Sequence, residues 1–528
     1  MSKQVQLNLD PKAAADEALV KKAASAQAGL DPGKISSIRI LKRSVDARQK
    51  NIRVNLSVEV FISDEPAQNF LNPFKAIDVS LQKEVIIVGA GPAGLFSALR
   101  LIELGLRPVI IERGRDVSSR KIDIARISRE HIVDPDSNYC FGEGGAGTYS
   151  DGKLYTRSKK RGDNQRVLEL LCLHGANTNI LYEAHPHLGT DKLPGIISNI
   201  RKTIVDCGGV FLLGRKVTDI LIEGEEVKGV VASGNEKFLS DYVILATGHS
   251  ARDIYDICLS RDIDMEMKSF AVGVRVEHPQ SLIDRIQYHG SDRGNFLPAA
   301  SYNIARQVDG RGVYSFCMCP GGFIVPSATS QEEVVVNGMS PSGRNSPYAN
   351  SGIVVEIRTE DLTGFSSHGI MAGIELQKKL ENDAWINGGR TQNAPAQRLA
   401  DFVAGRTSGS LPKVSYFPGV TSSPLHQWLP EEIGKRLREG FMQFGKSMNG
   451  YLTNDAVILG VESRTSSPLR IPRDAEKLRH VRINGLYPCG EGSGYSGGIV
   501  SSAVDGMNVA DAIGRHPATG NRLQAVRE

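Results

Sequence analysis

Three features that this sequence lacks restrict what the protein can be. It has no uncharged apolar run of roughly 18 residues, the length that a membrane-spanning helix needs. Its seven cysteines are an odd number without a repeated spacing, so no disulfide framework is expected. The polar start, MSKQVQLNLD, has no apolar core of the kind that a signal peptide carries. We therefore expect a cytoplasmic protein that has no membrane partner.

The chain also lacks an excess of charge of either sign. Its 63 lysines and arginines against 59 aspartates and glutamates give a net charge of +4, which is too small to favour nucleic acid as a partner. One basic run, from Lys153 to Arg161, is typical of a solvated face. The alternative is that this run contacts the phosphates of a reduced nicotinamide donor.

What the sequence does contain is a complete dinucleotide-binding pattern that starts at Glu84. A β-branched strand, residues 85–88, is followed by G-x-G-x-x-G and by apolar residues at helical spacing. Such glycines allow a tight turn, contact with a pyrophosphate and close packing of helix on strand. The start of the helix supplies free N–H groups and a positive dipole end for phosphate charge. The pattern assigns cofactor-binding roles to Gly89, Gly91, Pro92, Ala93 and Gly94.

A second apolar strand, residues 108–111, ends at an acidic residue. This residue is Glu112, 18 positions after Gly94, and an acid at this place is expected to accept hydrogen bonds from the adenosine ribose hydroxyls. Because strand, helix, second strand and acid occur in register, a dinucleotide site is favoured over an ordinary glycine-rich turn.

The length of 528 residues allows about three domains. Residues 1–80 show a small β-α-β-β pattern, whose polar sheet face predicts either a solvated surface or a docking surface for a protein partner. We place the first part of an α/β dinucleotide-binding domain at 81–264 and its second part at 455–528. Between them, residues 265–454 alternate strand-like runs and amphipathic helices, which predicts an inserted α+β substrate or cap domain.

A second glycine-rich segment, FGEGGAGTYSDGKL, holds four glycines within residues 142–147. So little side-chain bulk suits a loop that lies along a flat ring or a phosphate, and a surface loop is the alternative. We predict cofactor contacts from Gly144, Gly145 and Ala146 in this loop and from the nearby Lys153.

Two later segments fit the same cofactor site. Four strands are predicted between Gly209 and Ala246, and the last ends at Thr247–Gly248, where a cofactor would cross the carboxyl ends of a doubly wound sheet. Near the C-terminus, CGEGSGYSGGIVSSA predicts a strand end, a glycine turn and a helix that begins near Gly498. The N-terminal amides of that helix would stabilise negative charge on a reduced ring system.

One pair of cysteines and one pair of histidines lie outside the segments described so far. Cys317 and Cys319, in FCMCPGG, are predicted to point to one face of a strand, and buried structural thiols are favoured over a redox or nucleophilic role. Their spacing is not the C-x-x-C of a thioredoxin-like dithiol. His185 and His187 have no partner at metal-ligand spacing, so no metal site is expected.

Taken together, GAGPAG, ATG, FGEGGAGTYSDGKL, CMCPGG and CGEGSGYSGGIVSSA resemble flavoproteins of the glutathione-reductase-type FAD fold. In detail they resemble the uncharacterised bacterial FAD-dependent dehydrogenases, a family defined by fold more than by reaction. The resemblance covers nearly the whole chain from Glu84. It implies a Rossmann-type FAD-binding domain with FAD as the cofactor, adenine beside the backbone near Val217, and ribose beside Arg113. Further contacts that it implies are Thr247, Gly248, Gly490, Glu491, Gly497, Gly498 and Ile499, where Glu491 replaces the aspartate of the wider superfamily.

We therefore predict an FAD-dependent oxidoreductase that transfers hydride through flavin N5 to or from a small-molecule organic substrate. No second dinucleotide pattern is present, so an NAD(P)H donor would bind only transiently. Cys317, Cys489 and Tyr495 are candidate neighbours of the ring, and no residue is assigned as catalytic. Two alternatives remain open: a flavin-dependent RNA-modifying protein, and a non-enzymatic FAD-bound sensor that docks a partner through residues 1–80.

Overall fold

The computed structural model describes residues 2–62, 71–155, 162–290 and 293–515. Of the predicted basic run only its beginning, with Lys153, is described, and the rest lies outside these ranges. None of the helices within them is long and apolar enough to cross a membrane.

The first part of the chain is an antiparallel three-stranded sheet covered by one helix. Its elements are β1 (Ser2–Leu9), α1 (Glu17–Ala28), β2 (Ser37–Asp46) and β3 (Arg53–Phe61), with the strands in the order β1-β3-β2. Alternation along β3 turns its apolar residues toward the helix, and they form a core with α1. The sheet also contacts the next region, because the Arg43 N–H donates to the Tyr182 carbonyl at 2.8 Å.

The second part alternates strands and helices. Its strands are β4 (Glu84–Val88), β5 (Arg107–Glu112), β6 (Val210–Leu213), β7 (Val217–Glu223), β8 (Glu226–Ala232), β9 (Glu236–Leu239) and β10 (Val243–Leu245). Its helices are α2 (Pro92–Glu103), α3 (Val117–Glu130), α4 (Asn164–Leu173), α5 (Leu193–Asp206) and α6 (Arg252–Ser260).

The third part is rich in antiparallel strands. These are β11 (Glu266–Met267), β12 (Phe270–Pro279), β13 (Ala305–Val308), β14 (Arg311–Cys319), β15 (Phe323–Pro326), β16 (Val336–Met339), β17 (Tyr348–Ile357), β18 (Ala394–Arg398), β19 (Val420–Ser422) and β20 (Val457–Glu462). Its helices are α7 (Gln280–Gln287), α8 (Ala372–Asn387), α9 (Leu399–Ala404), α10 (Leu425–Trp428) and α11 (Glu431–Ser447). The chain then adds β21 (Leu469–Arg470), β22 (Leu486–Pro488) and α12 (Ile499–Arg515).

Two large sheets organise these elements. The five-stranded sheet has the order β22-β10-β4-β5-β6, and all its neighbouring strands are parallel. Apolar cores cover both of its faces, as the continuous apolar runs of its strands predict. The seven-stranded sheet has the order β13-β14-β17-β12-β20-β18-β19 and carries the largest core.

The structure corrects two details of the sequence prediction. The boundary placed at residue 454 falls just before β20, which pairs with β12 and β18, so the inserted sheet extends to Glu462. A fifth strand, β9, lies between the third predicted strand and β10. It has only four residues, EKFL, and its two apolar residues are adjacent, so no apolar–polar alternation marks it as a strand in the sequence.

Candidate functional site

A cavity of about 400 Å³ lies between the carboxyl ends of the parallel strands and the inserted region. Strands β4, β5 and β10 end at its wall, which is where a doubly wound sheet binds its ligand. Helices α2 and α12 run side by side in the same direction, since Gly506 packs on Ala93 and Gly514 on Leu104. Both helices therefore direct their free N-terminal N–H groups and positive dipole ends toward the cavity.

Most residues predicted to bind the cofactor line this one cavity. They are Gly89, Gly91, Pro92, Ala93, Glu112, Arg113, Gly145, Ala146, Lys153, Val217, Thr247, Gly248, Glu491, Gly497, Gly498 and Ile499. They come from segments far apart in sequence, and the fold brings them to one place.

Three residues predicted to contact the cofactor instead lie behind the cavity wall. A Cβ added to Gly94 would stand 2.0 Å from the Gly89 carbonyl oxygen, and one added to Gly144 would stand 2.1 Å from Thr148 Oγ1. At Gly490 the added atom would meet a side chain of α2 at 3.0 Å. These glycines are required for close packing of the segments that form the wall, and their side-chain positions do not face the cavity.

Other glycines leave open space in front of the backbone. An added Cβ at Gly91, Gly248 or Gly498 would meet no atom within 4 Å, and all three residues line the cavity. Three separate segments therefore present bare backbone to the same space, so that a ligand can approach their N–H groups closely. Such a surface fits a dinucleotide, whose diphosphate and flat ring both need close approach to the backbone.

Glu112 is buried and braces the first glycine turn. Its Oε2 accepts the Ala90 N–H at 2.8 Å, and its Oε1 accepts the N–H groups of Gly114 and Gly142, each at 3.0 Å. A carboxylate has about four acceptor positions, so one remains for a hydroxyl in the cavity. The structure thus gives Glu112 a second task, which is to connect the turn after β4 to the glycine-rich loop.

Arg120 holds the glycine-rich loop from behind, and sequence reasoning did not identify it. The side chain is fully buried in α3, and its guanidinium donates to the carbonyl groups of Asn138, Tyr139, Glu143 and Gly145 at 2.7–2.9 Å. Burial lowers the pKa of Arg120. The loop is therefore kept in place by one cation that satisfies four carbonyl groups.

The C-terminal glycine turn is braced by an ion pair. Asp505 Oδ2 accepts the Gly490 N–H at 2.7 Å, and both Asp505 oxygens accept from Arg473 at 2.5 and 3.0 Å. The Arg473 guanidinium also lies 3.8 Å from the centre of the Tyr495 ring. Tyr495 and the fully buried Cys489 thus belong to the support of the turn, and neither lines the cavity.

Arg113 and Val217 also line the cavity. The Arg113 guanidinium donates to both carboxylate oxygens of Asp253, at 2.6 and 2.7 Å, and stands 4.4 Å from the centre of the Phe141 ring. This pairing fixes a flat, charged side chain on the wall.

The inserted region closes the remaining side. It contributes Phe316, Cys317, Asn337, Arg464 and Thr465, and the loop before residue 156 adds Asp151. Asp151 was visible within the glycine-rich string FGEGGAGTYSDGKL, although it was not singled out. Cys317 was predicted as a candidate neighbour of the ring, and the other four lie on strands or loops whose sequences carry no cofactor motif.

Lys153 and Asp151 form a charged group at this side of the cavity. The Lys153 ammonium donates to the Met318 carbonyl and lies 3.8 Å from Asp151 Oδ2, which also accepts from Arg344 at 2.8 Å. Burial raises the pKa of Asp151, but the charges of Lys153 and Arg344 outweigh it and the net pKa is lowered.

The two cysteines of FCMCPGG do not share one environment. A β-bulge between Phe316 and Cys319 interrupts the alternation of β14. Cys317 is half-buried and lines the cavity, whereas Cys319 is fully buried. The burial predicted for both thiols is therefore found for Cys319 alone.

His185 and His187 are separated by their contacts. The His187 ring pairs through Nε2 with the Ser342 carbonyl at 3.0 Å, and the His185 ring packs on Tyr155 with ring centres 4.8 Å apart. Within the described ranges, no three histidine, cysteine, aspartate or glutamate side chains group as metal ligands would.

Family models match three consecutive parts of the chain. A domain of unknown function matches residues 1–61, pyridine nucleotide-disulphide oxidoreductase matches residues 83–264, and "FAD-dependent protein, C-terminal domain-like" matches residues 269–465.

Two relatives show how far the similarity extends. A protein of Clostridium beijerinckii, described as an uncharacterized protein, is 40% identical over 500 residues, which cover 91% of this chain and 92% of that protein. Thiamine thiazole synthase of Aeropyrum pernix is 26% identical over 193 residues, or 34% of this chain and 59% of that enzyme.

Solved structures resemble the chain more distantly. A triple mutant of the flavin-dependent brominase Bmp2 is 15% identical, with a TM-score of 0.34 and coverage of 83% of this chain and 81% of that one. A geranylgeranyl bacteriochlorophyll reductase-like protein from Thermoplasma acidophilum is 12% identical, with a TM-score of 0.33 and coverage of 82% and 79%.

Proposed function

The chain belongs to a family of FAD-dependent proteins, and from that premise we propose that it is an oxidoreductase in which FAD exchanges hydride with an organic substrate. The prediction of FAD as the cofactor is confirmed by the family. The reaction and the substrate class are our proposal, and so are the roles given to individual residues.

One observation carries the proposal. A single cavity extends from the first glycine turn, at Gly91 and Glu112, to the wall formed by the inserted region, at Phe316 and Cys317. A site that only stored a nucleotide would need the first wall alone. The second wall encloses space beside the end that the resemblance gives to the flavin ring, and a substrate needs such a space.

The residues that we propose to hold FAD are among those that line the cavity. The N-terminus of α2 would receive the diphosphate, Glu112 would accept a ribose hydroxyl with its remaining acceptor position, and backbone near Val217 would meet the adenine. Gly145 and Ala146 would lie along the ring, with Gly497, Gly498 and Ile499 at the start of α12 beside it.

FAD supplies the two-electron redox chemistry when bound. The chain orients the ring, and the N-terminal N–H groups of α12 favour negative charge near it. The inserted sheet excludes water from the enclosed side. A nicotinamide donor would enter the same side and leave again, since no second dinucleotide fold is present among the described residues.

The alternatives gain no support of their own. The basic run that motivated an RNA-modifying role continues at residues 156–161, outside the described ranges. Docking of a protein partner on residues 1–80 stays a prediction, because the exposed sheet face of that region fits a solvated surface equally well.

The test uses the full-length protein as purified. We expect bound FAD in the chromophore extracted from it, and bleaching of the flavin absorbance when dithionite, NADH or NADPH is mixed in without oxygen. Bound FAD that dithionite bleaches but no organic or nicotinamide donor reduces would leave a cofactor-binding protein and contradict the enzyme. A protein that is colourless and refuses saturating FAD would overturn the site as a whole.

A further inference from the structure

Cys317 occupies an unusual backbone position at the substrate side of the cavity. Its φ is 45°, in the left-handed region that residues other than glycine seldom adopt. It lies in the bulge between Phe316 and Cys319, and it lines the cavity. Bulges and strained residues cluster at functional sites because they redirect side chains.

Cys319 lies directly behind this residue. The Cys319 thiol donates to the Cys317 carbonyl at 3.3 Å, and its side chain is fully buried. Fully extended chain spans at most about 7 Å over two residues, so the two Cα atoms lie close to the range of roughly 4.4–6.8 Å that disulfides span. The two side chains are also hydrogen-bonded to each other. The pair therefore has one sulfur accessible from the cavity and a second sulfur within reach of the first.

Two cations surround the pair. The Lys153 ammonium donates to the Met318 carbonyl between the two cysteines. Arg275, fully buried, donates to the Cys317 carbonyl at 3.4 Å and pairs with Glu462 at 2.8 Å. Positive charge of this kind stabilises a thiolate, which is the reactive form of cysteine.

The two thiols are also unequal in acidity. The interaction with the Cys319 thiol lowers the pKa of Cys317 against the effect of burial, and the charges of Lys153 and Arg275 lower it further. The interaction with Cys317 and burial together raise the pKa of Cys319. A thiolate at the cavity beside a protonated thiol is the ground state expected of a dithiol ready for exchange.

We propose that Cys317 and Cys319 form a redox-active dithiol that exchanges two electrons with the flavin bound in the same cavity. In this step an S–S bond forms between the two sulfurs and the S–H bond of Cys319 breaks. Two electrons pass to the oxidised flavin, and the proton released from Cys319 goes with them. The reverse step reduces the disulfide. This inference rests on the proposed function, because it requires the flavin at that end of the cavity.

An anaerobic reductive titration tests the proposal. FAD alone accepts two electrons, and a disulfide accepts two more. The oxidised full-length protein should therefore consume about two equivalents of dithionite per flavin before it is fully reduced, whereas Cys319→Ser should consume about one. Mass spectrometry of the peptide that contains both cysteines should find it disulfide-linked in the oxidised protein and free to react with iodoacetamide after reduction.

A matched control and a second variant keep the result clear. Cys172→Ser removes a thiol of α4 outside the cavity and should leave the consumption at about two equivalents. Cys317→Ser should lower it to about one, as Cys319→Ser does. If the wild type consumes only about one equivalent and no disulfide-linked peptide is found, the proposal of a redox-active dithiol is wrong, but the proposal that the protein binds FAD is unaffected. Absence of bound flavin would instead contradict the proposed function, and the two failures are thus distinguishable.

Discussion

The two large sheets differ in the side chains that they bury. Strands β4 and β10 of the parallel sheet bury only apolar side chains at their centres. Strand β12 of the inserted sheet buries three charged or polar side chains, Arg275, Glu277 and His278, each at most 3% exposed. One sheet is stabilised by apolar burial, and the other also depends on a buried polar network.

The difference separates two tasks. A uniform apolar sheet holds glycine turns at the ends of its strands, and there the backbone contacts the ligand. A sheet with buried charges positions side chains, because each charge is costly to bury and must be paired at a defined place. The parallel sheet thus supplies binding through backbone, and the inserted sheet supplies a chemically specific wall.

The largest expected effect tests the backbone side. Gly91→Val should abolish FAD retention, because the branched side chain would fill the path of the diphosphate. The fold should survive, since a Cβ at Gly91 meets no atom within 4 Å and its φ of −75° suits any residue. Extracted flavin per protein measures the effect. Gly195→Val, at an exposed glycine of α5 that also has open space, is the control and should retain FAD. A yellow Gly91→Val protein would show that the diphosphate lies elsewhere.

The next effect tests the charged side. Arg275→Met leaves Glu462 buried without its partner, so the free energy of unfolding should fall by roughly 3–5 kcal/mol, measured by urea denaturation. Arg358→Met breaks a comparable pair, with Glu356 of β17 at 2.8 Å, but this arginine side chain is 40% exposed. That control should cost at most about 1 kcal/mol. Equal, small losses for both variants would mean that the inserted sheet does not depend on its buried charges.

Glu112→Ala should produce a smaller effect on the backbone side. It removes a charged acceptor that faces the cavity, so FAD retention should weaken by about 1.5–3 kcal/mol, measured as the dissociation constant for added FAD. Glu84→Ala is the control, since Glu84 lies at the opposite end of the same sheet in an exposed pair with Arg107, and FAD binding should stay unchanged. Wild-type affinity in Glu112→Ala would remove the ribose contact from the proposed site.

The same difference between the two sheets explains how much of the site could be predicted from the sequence. The turn from Gly89 to Gly94 and the acid at Glu112 lie on one contiguous β-α-β stretch, so spacing alone predicted them. The start of α12 near Gly498 was also predicted, since glycines followed by a regular apolar pattern mark a helix start.

Apart from Cys317, the residues that the inserted region contributes to the wall were not predicted, for a physical reason. Arg464 and Phe316 reach the cavity through long-range strand pairing, which no local pattern encodes. Arg120 lies in α3, and only the four carbonyl groups of the folded loop explain why it is buried. Two glycines showed the reverse error, because Gly144 and Gly490 fit a cofactor motif but serve packing, whereas the packing role predicted for the third motif glycine, Gly94, agrees with its contacts.

The smallest effect concerns the pH dependence of the inserted sheet. Burial raises the pKa of Glu277 to about 7, although hydrogen bonds from Ser415 oppose it, whereas an unfolded glutamate titrates near about 4.3. The folded state therefore binds more protons between these values. The stability that Glu277 contributes is complete below about pH 4.3 and is lost as the pH rises through about 7.

Glu277→Gln should remove this slope, which is at most about 1.4 kcal/mol per pH unit, in urea denaturation series between pH 5 and 8. Glu462 shifts in the same direction, so the difference between variant and wild type isolates Glu277. Glu431→Gln, at the exposed start of α11, should leave the wild-type slope intact. An unchanged slope in Glu277→Gln would mean that this carboxyl is ionised in the folded sheet, and the contrast with the apolar parallel sheet would then rest on Arg275 and Glu462 alone.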